Sequence, residues 1–140
     1  MPCNAIVYLP ATIRQLDATA MFASPEATKL TLEMLKATLA ATLGQPAYSV
    51  ENWGQAERSS ANITARIQSG TIRIWNNGQV NIRLYTGTRN PEAITAAIEE
   101  AIKATLASLT QILTAQVIGV TVQVTDTAFV GNNLVLTVNI

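Results

Sequence analysis

From Asn62 to Thr86 apolar and polar residues alternate, interrupted at Ser69-Gly70 and again at Asn76-Asn77-Gly78. A period of two broken by glycine-bearing turns predicts a three-stranded antiparallel meander. Its register follows from keeping one face apolar, because a slip of one residue would exchange core and solvent sides. That requirement sets Ile63, Ala65, Ile67, Ile72, Ile74, Val80, Ile82 and Leu84 on the core side. Thr64, Arg66, Gln68, Thr71, Arg73, Trp75, Asn81, Arg83 and Tyr85 fall on the other. A two-residue Ser69-Gly70 turn opposes Ile67 to Ile72, Ala65 to Ile74 and Arg66 to Arg73. A two-residue Asn77-Gly78 loop would mix the faces, so the pattern selects a three-residue loop with Gly78 left-handed. Ile74 then meets Val80, Ile72 meets Ile82 and Trp75 meets Gln79.

The flanking pattern is helical. Ser24-Pro25-Glu26 supplies a capping hydroxyl, a proline suited to the first turn and a carboxylate at the positive end of the dipole. The helix it opens runs to Leu43, with Gly44 as its stop, and Glu26, Lys29, Glu33 and Lys36 form its solvated stripe. Asn90-Pro91-Glu92 repeats the signal and opens a second helix to about Thr114. Ile94, Ile98, Ala101, Ile102, Leu106, Leu109 and Leu113 face inward, and Glu99 pairs with Lys103 on the outer side. Residues 4–9 read as a strand ended by Pro10, and Tyr48 to Trp53 as another, joined to the meander by a polar connection over 54–61. Alternation at Val120, Val122 and Val124, then at Leu134, Leu136, Val138 and Ile140, predicts a closing hairpin around Gly131-Asn132-Asn133. Residues 11–23 have no dominant period. Lys-Ala-Thr-Leu-Ala recurs at 36–40 and 103–107, but the architecture does not require a duplication.

The expected architecture is a single α+β domain over residues 1–140: an antiparallel sheet, built from the central meander and a C-terminal hairpin, packed on one face by two helices. A chain of this length buries a core without staples. The lone Cys3, read as a small buried residue of the first strand, forms no internal disulfide, and no stretch reads as a signal peptide or membrane span. A cytoplasmic protein with no membrane partner is the expectation.

Charge changes this picture in two ways. Charged residues make up only 13% of the chain and threonine fills eighteen positions, so a neutral polar surface favours homo-oligomer formation. Arg58, Arg66, Arg73, Arg83 and Arg89 fall within 32 residues that hold no acid, while the remainder sets four cations against nine acids. Such a split points to an anionic partner, or to acids elsewhere that fold back on the arginines.

Absent residues narrow the chemistry. With no histidine, the commonest general base and imidazole ligation are lost, and with one cysteine a zinc site has no support. No carboxylate cluster marks a metal site, and neither phosphate-loop nor dinucleotide fingerprint occurs, so a non-enzymatic protein with no cofactor is expected. The arginine and aromatic face suits phosphate-bearing ligands, because guanidinium pairs bidentately with phosphate and rings stack on bases. Single-stranded nucleic acid is the favoured ligand, with Arg66, Arg73, Trp75, Arg83, Tyr85 and Arg89 as candidate contacts. The rival is a self-assembling structural subunit, virion-like or filamentous, in which the arginines pair with Glu51, Glu57 or Asp126. A nucleotide-binding module is third.

Overall fold

The computed structural model describes residues 7–53, 61–119 and 121–139. Its strands are β1 (Thr12–Gln15), β2 (Ser49–Trp53), β3 (Asn62–Ile67), β4 (Gly70–Trp75), β5 (Gln79–Leu84), β6 (Gln123–Val130) and β7 (Asn133–Asn139). The helices are α1 (Pro25–Leu43) and α2 (Pro91–Ile118), with one 3-10 turn at Ala20–Phe22. All seven strands form one sheet in the order β2-β3-β4-β5-β1-β7-β6, antiparallel except where β1 meets β7. Both helices pack on one face, so the fold is α+β, as the pattern predicts.

The core face of the meander is the expected one. Ile63, Ala65, Ile67, Ile72, Ile74, Val80, Ile82 and Leu84 are all buried, in one cluster with Leu35, Leu39, Ile98, Ile102, Leu106 and Leu109 of the helices. The second turn also agrees: Ile74 pairs with Val80, Ile72 with Ile82, and Gly78 has φ +92°. The first turn does not. Ala65 pairs with Ile72, Arg66 with Thr71 and Arg73 with Thr64, so the loop is Gln68-Ser69 and the register differs from expectation by two residues. A two-residue slip keeps every side chain on its face, so polarity alone does not detect it. Gly70 is a strand residue. A Cβ there would lie 2.0 Å from the carbonyl oxygen of Arg83, so this glycine serves close approach of β4 to β5 rather than the turn.

Local signals set the helices. The Ser24 hydroxyl accepts from Ala27 N–H at 3.0 Å, Gly44 closes α1 at φ +76°, and Glu26, Lys29, Glu33 and Lys36 are exposed as expected. Helix α2 runs four residues past the expected end, to a left-handed Gly119. Its start differs as well, since Asn90 takes φ +51° and makes no side-chain cap. The Glu99–Lys103 pair is not formed: Lys103 pairs with Glu100, and Glu99 turns to Arg14. Where α1 packs on α2, the hydroxyls of Thr38 and Thr105, the middle residues of the two Lys-Ala-Thr-Leu-Ala segments, meet at 2.9 Å.

The stretch over 11–23 without a dominant period contains β1, a central strand of the sheet. Its helix-facing residues are Thr12 and Arg14, and Ile13 points the other way, 39% exposed, so the alternation is inverted. Arg14 is held from three sides: Nε donates to Glu99 Oε2 at 2.5 Å, Nη1 to Asn132 Oδ1 at 3.1 Å, and the guanidinium lies over the Phe129 ring. Of the expected strand at 4–9, residues 4–6 lie outside the described residues, and 7–9 hold an isolated bridge rather than a strand: Tyr8 bridges Tyr85 and Leu9 N–H donates to Leu84 O; Cys3 and the connection over 54–60 also lie outside the described residues. The hairpin of β6 and β7 closes on Gly131-Asn132, with a bulge between Val124 and Asp126; Val120 and Ile140 lie outside the described residues. Among the described residues no helix is long and apolar enough to cross a membrane.

Candidate nucleic-acid interface

The sheet face away from the helices carries the polar positions of the meander, and pairing decides which of them meet. Arg73 of β4 stands between Thr64 of β3 and Asn81 of β5; Arg83 of β5 stands beside Thr71 of β4. The two arginines are therefore diagonal neighbours. The expected opposition of Arg66 to Arg73 is absent: Arg66 faces Thr71 and is exposed. Thr71, Arg73, Trp75, Asn81 and Arg83 together line a hollow of about 60 Å³.

Neighbouring groups orient both guanidiniums. Arg73 Nε donates to Thr64 Oγ1 at 3.2 Å, and that hydroxyl donates to Asn62 Oδ1 at 2.7 Å. The Arg73 Cζ lies 5.6 Å from the centroid of the Trp75 ring. Arg83 Cζ lies 4.5 Å from the centroid of Tyr8, whose ring packs on Tyr85 at 5.4 Å. Each cation–π contact contributes about 0.5–1 kcal/mol at an exposed site. A planar fork held over a ring loses less entropy on meeting a ligand than a free side chain does.

No carboxylate of the described residues lies within ion-pair distance of Arg66, Arg73 or Arg83. Glu51 shares their face on β2 without pairing, Asp126 lies on β6 at the far edge of the sheet, and Glu57 is outside the described residues. Asn81 Oδ1 is buried with no hydrogen-bond donor. Phosphate is an acceptor that the two guanidiniums and the Thr71 hydroxyl can meet, whereas Asn81 Oδ1 requires an N–H or O–H.

Of the six expected contacts, Arg73, Trp75 and Arg83 line the hollow, and Tyr85 adjoins it through Tyr8. Arg66 shares the face outside the hollow, and Arg89 is exposed in the connection ahead of α2. Tyr8 was not among the candidates, because its neighbour across the sheet is 77 positions away and no local pattern pairs it with Tyr85. Among the described residues there is no cluster of three or more metal-ligating side chains. Comparison with known proteins found no matching family model, no similar curated protein and no similar solved structure.

Proposed function

We propose that the protein is a non-enzymatic binder of single-stranded nucleic acid, recognising phosphate on the open face of its sheet. The observation that carries this reading is the hollow between Arg73 and Arg83, where two cations sit without a carboxylate among the described residues and are braced by Trp75 and Tyr8. Like charges at diagonal positions raise the free energy of the empty site, and an anion relieves it. Phosphate enters the hollow, Arg66 engages the backbone further along β3, and bases stack on the ring surfaces that the guanidiniums leave open. A donor on base or sugar completes Asn81. A cytoplasmic setting and association between copies belong to the same proposal, the latter supported by exposed Val130, Val135 and Val138 on a charge-poor chain.

The reading is tested by comparing a single-stranded homopolymer with a duplex of equal length in fluorescence anisotropy at low salt. Tighter binding of the single strand is expected, because the duplex hides the base faces that Trp75 and Tyr85 would touch. Equal binding would reduce the site to a nonspecific cation patch.

A further inference from the structure

Among the described residues the sheet ends at β2 and at β6, and the two edges differ in how they resist pairing with another chain. Edge strands are commonly protected by charge, proline or a bulge. Strand β2 has five residues with Glu51 at its centre. Strand β6 has eight, Gln-Val-Thr-Asp-Thr-Ala-Phe-Val, with no lysine or proline, and its one bulge lies before Asp126. Residues 126–130 thus form a regular run in which Thr127, Phe129 and Val130 favour strand and Asp126 is the one charge, and its last member, Val130, is 64% exposed.

Hydrogen-bond direction follows from the hairpin. Gly131 has φ +62° at the first position of a two-residue loop, so the flanking pair Val130 and Asn133 exchange both hydrogen bonds. Counting back by twos, Ala128 and Asp126 also direct their N–H and C=O groups to β7. Those of Thr127 and Phe129 point off the sheet. Two copies of this edge related by a two-fold axis through Ala128 bring Thr127 of each opposite Phe129 of the other, as two fully hydrogen-bonded pairs.

Side chains agree with that register. Ala128 meets Ala128 at the close, non-hydrogen-bonded position, and Asp126 lies beside Val130, so no like charges oppose one another. The same operation on β2 fails. Ser49, Glu51 and Trp53 pair with β3, so Val50 and Asn52 point outward and the axis falls on Glu51, opposing two carboxylates at the closest spacing.

We infer that the protein forms a two-fold dimer through antiparallel pairing of β6 with β6, centred on Ala128, which joins two seven-stranded sheets into one. The phosphate-binding face plays no part in this argument; the inference makes specific the association between copies proposed above. It also places the two hollows on the same side of a continuous sheet, since a two-fold axis perpendicular to the sheet preserves its faces.

Light scattering coupled to size exclusion, with sedimentation as a second readout, tests it at micromolar concentration. Wild type should show twice the 14.9 kDa chain mass. Ala128→Lys opposes two lysines on the axis, and Thr127→Pro removes one outward N–H while leaving the bonds to β7; each should give monomer with an unchanged circular dichroism spectrum. Glu51→Lys should leave the dimer intact. A monomeric wild type would overturn both this inference and association between copies. A dimer that survives Ala128→Lys and Thr127→Pro would overturn the β6 interface alone, as would open-ended polymers abolished by Glu51→Lys.

Discussion

Asn81 sits between Arg73 of β4 and Ile13 of β1, and its side-chain oxygen is buried without a donor. A buried acceptor left unmade costs about 1–3 kcal/mol. Binding and stability should therefore respond to this residue in opposite directions. Asn81→Ala is expected to leave the free protein as stable as wild type, or more stable by about 1 kcal/mol, in urea unfolding, while weakening single-strand binding several-fold. A loss of stability with unchanged affinity would show that the oxygen is satisfied within the fold. Arg73 behaves differently from what an Arg66–Arg73 opposition implies: it donates to Thr64, which is buried, so its removal relieves only the diagonal repulsion from Arg83 and leaves that hydroxyl one partner short. Which residues share the outer face was legible from alternation alone. Which of them touch was not, because pairings two residues apart are equivalent in polarity.

At the scale of elements, α1, α2, the meander and the terminal hairpin all carry their own signals: Ser24 and Gly44 on α1, Gly119 at the end of α2, and Gly78 and Gly131 in the turns. Strand β1 carries none. It is four residues long, and the side chains it turns toward the helices are a threonine and an arginine, the latter stable there because Glu99 and Asn132 converge on it. The acid lies 85 positions away, so no local window contains the pair. Arg14 links β1 to α2 and to the hairpin turn, and its side chain is only 27% exposed. Arg14→Met should cost about 2–4 kcal/mol in urea unfolding, since it leaves Glu99 largely buried without its cation. Adding Glu99→Gln to that variant should recover part of the loss. Full additivity of the two changes would show that the ion pair does not hold the sheet to α2.

At the scale of the whole molecule, the helices cover one face of the sheet, and Arg66, Arg73 and Arg83 lie on the other. The chain is neutral overall, so the proposed attraction for an anion rests on this face and not on net charge. Salt dependence is the signature of phosphate contact, because each neutralised phosphate on a single strand contributes about −0.7 to the slope of log affinity against log salt. The decisive measurement is that slope for a single-stranded homopolymer, taken for wild type and for Arg73→Ala/Arg83→Ala. With Arg66, Arg73 and Arg83 all engaged, wild type should give about −2 and the double variant about −0.7. Affinity indifferent to salt, or a slope unchanged in the double variant, would contradict phosphate recognition at the hollow.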